Sequence, residues 1–151
     1  MRTPLVLLTS LLVSACSSPV SESLPAPDPE VALGSVPGCY SIQLKGTPSR
    51  DVSLPTLIEL SRDPAPGFVE PGRFAVREPG RSEPRAPISS WAPGRGATLD
   101  LSLGGGYTGY NFTLRSAGPG TWEGKGEYFA DMGLEPRPGP LPVRLTSRNC
   151  P

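Results

Sequence analysis

From Tyr40 onward, apolar and polar residues alternate with a period of two. Tyr40, Ile42 and Leu44 alternate with Ser41, Gln43 and Lys45. The spacing recurs at Thr56, Ile58 and Leu60, and at Phe74 and Val76. It continues through Leu99–Leu103, Tyr110–Leu114, Trp122–Tyr128 and Leu141–Leu145. Successive side chains of a strand point to opposite faces, so these seven runs predict half-buried antiparallel strands. Ile88 to Trp91 forms a short eighth. Beyond the first sixteen residues, no ten-residue stretch free of Pro and Gly carries a helical stripe.

The connections suit this reading. Gly104-Gly105-Gly106 closes a hairpin between Leu103 and Tyr107, because glycine reaches positive φ at little cost. Ser116 to Gly120 closes the next. Strands near 97–103, 107–115 and 121–129 therefore form a meander. Residues 64–93 are rich in proline and predict long surface loops around one or two short strands. Eight short strands in sequence define an all-β fold, a small antiparallel up-and-down β-barrel whose closure removes the sheet edges. A two-sheet β-sandwich is the alternative.

Composition narrows the function classes. Glycine (18) and proline (21) make up about a quarter of the 151 residues, while 36% hydrophobic residues suffice for one modest core. Basic and acidic residues balance at 14 each, which argues against electrostatic nucleic-acid binding. The chain has no histidine. The usual general base, the common metal ligand and any Ser-His or Cys-His nucleophile pair are thereby excluded.

The N-terminus reads as an address. Arg2 supplies a positive charge, Leu5 to Val13 an apolar core, and Ser14 and Ala15 a small pair. This core has the length of a signal peptide and falls short of the roughly 20 apolar residues of a membrane-spanning helix. Leu12-Val13-Ser14-Ala15-Cys16 resembles a bacterial lipobox. The resemblance implies removal of residues 1–15 and palmitate-type acylation of Cys16, which becomes the mature N-terminus. Two or more acyl chains anchor a protein stably to a bilayer. Ser17, standing where an Asp marks inner-membrane retention in Gram-negative lipoproteins, points to the outer membrane in such a source. The expected location is the cell envelope, facing the periplasm or exterior.

Residues 16–37 follow as a flexible linker with five prolines; Glu22, Asp28 and Glu30 are its only charged residues. Such a segment buries too little apolar surface to offset its ordering entropy. It is a Pro-stiffened spacer reaching about 60 Å at most. The β-barrel domain is expected over residues 38–151. With Cys16 acylated, Cys39 and Cys150 remain as a pair, and an exported chain meets an oxidising compartment that favours their disulfide. Two free buried thiols are the alternative. A zinc site is not expected from two thiols and no imidazole.

Gly38-Cys39-Tyr40 on the first strand resembles a weakened Gly-x-Trp opening of the lipocalin and calycin barrels, with Tyr in place of Trp. Those barrels set an arginine of the last strands against that aromatic, which implies such a role for Arg144 or Arg148. The helix that usually follows such barrels has no counterpart in this sequence.

Other candidate chemistry has a plainer reading. Gly104-Gly105-Gly106 lacks the Lys-Ser/Thr pair and following helix of a phosphate loop. Lys45 and Lys125 lie on solvent faces. Glu123 and Glu127 share a face about 13 Å apart, too far for one cation. Arg73, Arg77, Arg81, Arg85 and Arg95, interleaved with acids, read as solubilising loops. Tyr40, Phe74, Tyr110, Phe112, Trp122 and Tyr128 face inward and are the candidate ligand-binding residues; Gly124 and Gly126 on the same face mark either a vacancy or a bend. The expectation is a non-enzymatic, membrane-anchored lipoprotein without cofactor or metal, binding a small apolar molecule or an envelope partner. The alternative is a structural or envelope-assembly lipoprotein acting through its outer surface.

Overall fold

The computed structural model describes residues 35–67, 70–81, 83, 89–131 and 138–151. The expected signal segment, Cys16, most of the linker, and Ile88 lie outside the described residues. Eight strands follow in order: β1 (Gly38–Leu44), β2 (Leu57–Pro64), β3 (Phe74–Arg77), β4 (Ser90–Gly94), β5 (Thr98–Gly104), β6 (Thr108–Gly118), β7 (Thr121–Ala130) and β8 (Leu141–Arg148). Each pairs antiparallel with its neighbours in sequence, and β8 returns to β1. The β1–β8 ladder runs from Cys39 opposite Arg148 to Leu44 opposite Val143. This ladder closes the sheet, so the fold is an up-and-down barrel and the sandwich alternative falls. A closed eight-stranded antiparallel barrel is consistent with a lipocalin-like architecture.

Most of the expected inward set is buried, but Thr56 is exposed and precedes β2, and Leu44 is half-buried. Ile58, Leu60, Leu99, Leu101, Leu103, Leu114 and Leu145 are all at most 1% exposed. Cys39 and Cys150 form a disulfide with Cα atoms 5.2 Å apart. It joins the start of β1 to the chain beyond β8, where barrel closure makes these two regions neighbours.

The hairpins follow the glycines. Gly106 at the β5–β6 turn has φ +126° and Gly120 at the β6–β7 turn has φ +63°. The second turn is tighter than expected. β6 runs through a register shift as far as Gly118, so only Pro119 and Gly120 separate it from β7. The fourth strand also lies further along than expected, at Ser90–Gly94, and it includes Pro93. The Pro93 position pairs with Leu99.

β3 and β4 are the thin part of the wall. Their ladder rests on two pairs, Phe74 opposite Trp91 and Ala75 opposite Ser90. Side chains reinforce it. The Arg73 guanidinium donates to Ser90 Oγ (2.7 Å) and Ser102 Oγ (3.1 Å), tying β4 and β5 to the residue before β3. Trp91 Nε1 donates across the seam to the Ser61 carbonyl at 2.8 Å.

The chain enters β1 and leaves β8 at one end of the barrel, the entry rim, which also holds the β2–β3, β4–β5 and β6–β7 connections. The opposite rim holds the other four. Two apolar residues from outside the strands join the core. Val36, just before β1, is 4% exposed, and Val52, in the β1–β2 connection, is 6% exposed.

Candidate functional site

The six expected inward aromatics do face inward, but their contacts divide them into three groups. At the entry rim, the Tyr40 hydroxyl donates to the Val36 carbonyl at 2.7 Å and also bonds to the Trp122 side chain. Burial pushes this phenol above its ordinary pKa, and the Trp122 bond offsets part of the shift. Phe74 is half-buried and stacks on Trp91, with centroids 4.8 Å apart. Towards the opposite rim, Tyr110 stands 5.8 Å from Phe112 and 5.7 Å, edge-on, from Tyr128.

Trp91 is the inward aromatic that the sequence pattern did not single out. It is 1% exposed. Its strand is too short, and too close to Pro93, to show a clear period of two. Val36 carries no such signal for a related reason, standing alone between Ser35 and Pro37, whereas Val52 and Leu54 do alternate with Asp51 and Ser53 but are separated from the β2 run by Pro55.

The glycines of β7 resolve the question of vacancy. Gly126 lies opposite Phe112, and a Cβ built on it would stand 2.4 Å from that ring. The ring therefore occupies the volume that the glycine vacates. At Gly124 a Cβ would stand 2.0 Å from the Thr113 carbonyl oxygen, so there the glycine permits close approach of the β6 backbone. One glycine makes room for a side chain and the other for a neighbouring strand.

The β1–β2 connection crosses the opposite rim and is fastened there by the two remaining tyrosines. The backbone N–H of Ser49 donates to the Tyr110 hydroxyl at 2.9 Å. Tyr128 donates its hydroxyl proton to Asp51 Oδ2 at 2.6 Å. Ser49 Oγ donates to the other carboxylate oxygen, and Thr108 Oγ1 to the Asp51 carbonyl at 3.5 Å. Bonds from Ser49 and then Tyr128 hold the Asp51 carboxyl below its ordinary pKa. The bond to Asp51 raises the Tyr128 phenol, with desolvation and the carboxylate charge adding to the effect. Tyr110 and Tyr128 thus work as fasteners for a loop, a role that no sequence period announces.

The arginine role implied by the lipocalin resemblance is not realised. Arg144 and Arg148 are exposed and project outward, opposite Gln43 and Cys39. Arg144 pairs with Glu123, and Arg148 donates to Ser41 Oγ at 3.3 Å. Tyr40 points the other way, and Trp122 supplies its side-chain partner. The physical reason is strand parity: the residue opposite Tyr40 is Ser147.

Two depressions lie on the exterior among the described residues. A groove of about 300 Å³ crosses β7, β8 and the end of β1, flanked by Lys45, Lys125 and Arg144 around Pro142. A notch of about 320 Å³ at the entry rim is lined by Ser35, Ser116, Gly118, Pro119, Gly120 and Trp122. Among the described residues no group of three or more Cys, Asp or Glu side chains could hold a metal ion. Comparison of the chain with protein-family models, with curated proteins and with solved structures found no match.

Proposed function

We propose that this chain is a non-enzymatic lipoprotein of the bacterial envelope, held to a membrane by acyl chains on Cys16. Its barrel serves an envelope partner through its outer surface. The observation that carries this reading is the packed interior at Gly126, where the Phe112 ring takes the space that the missing side chain leaves. The ends support it as well. Val36 packs beneath the entry rim and Val52 beneath the fastened loop opposite. An eight-stranded barrel is just wide enough to be filled by side chains or to hold one small ligand, and here side chains supply the filling.

The ordered succession of charge, apolar core, small pair and Cys16 supports the anchor. Ser17 favours the outer membrane in a Gram-negative source. The non-enzymatic reading rests on the same geometry. Among the described residues, the groups with shifted pKa values, Tyr40, Asp51 and Tyr128, are each engaged in holding the fold.

Mass spectrometry of the membrane-extracted protein tests the anchor, with an acyl adduct expected on Cys16. Titration with a long-chain fatty acid and with anilinonaphthalene sulfonate tests the filled interior. The expected result is no saturable binding and no quenching of Trp91 or Trp122. Saturable one-to-one binding that quenches tryptophan would replace the partner reading with a small-molecule one.

A further inference from the structure

The exterior groove of about 300 Å³ has an uncharged floor and cationic walls. Pro142, Val143 and Gly124 form the floor, and Lys45 and Lys125 stand on either side of Pro142. The groove lies toward the far rim, opposite the one where the chain enters, where β1 ends and β8 begins. Strand pairing brings the lysines together. Lys125 pairs with Pro142 across β7 and β8. From the β1 side, the Lys45 N–H donates to the Pro142 carbonyl at 2.9 Å. Two inter-strand spacings, about 10 Å, therefore separate the lysine Cα atoms. Their flexible four-carbon stems let both ammonium groups reach one anionic segment lying between them.

The outward residues of β7, β8 and β1, together with Lys45, carry the cations Lys45, Lys125, Arg144 and Arg148 against the carboxylates Glu123 and Glu127. Arg148 stands away from the groove, bonded to Ser41 near the entry rim. Arg144 pairs with Glu123 within the groove, so these two charges cancel. Glu127, two residues beyond Lys125, is not part of the groove wall. Among the described residues, neither Lys45 nor Lys125 has an ion-pair partner.

We infer that this groove receives the chain's own linker, with Asp28 and Glu30 seated between Lys45 and Lys125. Charge and reach select this occupant. Every charged residue of the linker, Glu22, Asp28 and Glu30, is acidic. Ser35 stands at the entry-rim notch beside Gly120 and Trp122, at the head of β7. Lys125 lies three residues past Trp122 on that strand, about 10 Å further down the wall. The five residues from Ser35 back to Glu30 span at most about 16 Å, and Asp28 adds about 6 Å. A linker folded back over β7 and β8 thus carries both carboxylates to the lysines. Pro29 disfavours helical backbone at Asp28, which favours an extended approach. Residues 16–27 then remain as the free spacer, and the reach of the tether falls from about 60 Å to about 37 Å. The groove is closed to an acidic partner until the linker leaves it. Acylation of Cys16 is not required for the contact.

The test uses residues 16–151 with Cys16→Ser and Ala26→Cys, and a nitroxide attached to the introduced thiol. Cys39 and Cys150 are joined to each other and do not compete for the label. The amide NMR signals of Lys125, Val143 and Arg144 should broaden, while those of Ala92 and Asp100 on β4 and β5 stay sharp. Asp28→Asn with Glu30→Gln should lower the docking equilibrium roughly tenfold, and Lys45→Gln with Lys125→Gln should do the same, since each removes two exposed ion pairs. Arg95→Gln should leave it unchanged. Near 1 M salt, where the screening length falls to about 3 Å, the contact should be lost. Circular dichroism confirms that the variants fold. Sharp signals at all three groove amides, broadening that survives either double variant, or broadening that arises only between separate molecules in a mixed sample would overturn the docked linker. None of those outcomes alters the adduct expected on Cys16 or the filled interior.

Discussion

Gly126 on β7 lacks a side chain at the place where the Phe112 ring, from the facing residue of β6, fills the barrel. The pair acts as one unit of packing, with the bulk carried by one strand and the space provided by the other. It explains how a run of two glycines on an inward face coexists with a dense interior.

Gly126→Ala should therefore overpack the core and cost about 1–3 kcal/mol in denaturant unfolding. The double variant Gly126→Ala with Phe112→Leu should recover part of that loss, because the clash is with a ring that can be made smaller. Gly124→Ala should be at least as damaging and should gain nothing from trimming side chains, since its Cβ meets the Thr113 carbonyl. Additive losses at the Gly126 and Phe112 positions would show that the two residues are not coupled.

Arg73 spans the thin β3–β4 seam through Ser90 and Ser102. Arg73→Ala removes charge-assisted hydrogen bonds, each contributing about 1.5–3 kcal/mol. The expected signature is local. Amide hydrogen exchange should accelerate first at Ala75 and Ser90, while the long β6–β7 ladder keeps its protection. A uniform rise across the barrel would argue against a weak seam.

Cys39 and Cys150 are 111 residues apart in sequence, so their bond closes almost the whole domain. The chain-entropy model gives a loop of that length about 4.8 kcal/mol. Cys39→Ser with Cys150→Ser should lower the denaturant midpoint accordingly, with the slope indicating whether the unfolded ensemble has expanded. A loss under about 1 kcal/mol would assign barrel closure to the β1–β8 ladder alone.

The loop over the far rim should be held best across the middle of the pH range. The Asp51 carboxyl is lowered in the folded state, so its contribution is complete above the ordinary carboxylate value and is lost as pH falls through the depressed one. The Tyr128 phenol is raised, so its contribution is complete below its ordinary value of 10.0 and is lost as pH rises through the elevated one. NMR signals of the Val52 methyls should follow both limbs. Tyr128→Phe should abolish the alkaline limb and move the acid limb upward, while Asp51→Asn should abolish the acid one. Methyl shifts indifferent to pH in the parent chain would show that the loop is held by Val52 packing alone.

The strands were legible because alternation leaves a mark at every second residue. β6 and β7 show it over long uninterrupted stretches, and their inward faces are those expected. β4 shows it hardly at all, since Pro93 interrupts a five-residue strand. Trp91 was accordingly overlooked, although it is among the most buried side chains. The inward aromatics could be listed from the sequence, but not their separation into a Tyr40–Trp122 pair, a Phe74–Trp91 stack and a loop fastening. Those contacts depend on register across neighbouring strands.

What the sequence determined by itself is periodic and local: an all-β chain, the face each strand turns inward, the glycines at its hairpins and the two cysteines available for pairing. Tertiary structure alone decided the closure of β8 on β1, the occupation of Gly126's space by Phe112 and the fastening of the β1–β2 connection by Tyr110 and Tyr128. The reason is physical. Side-chain alternation is written along one strand, whereas closure, fit and loop fastening arise between segments far apart in the chain.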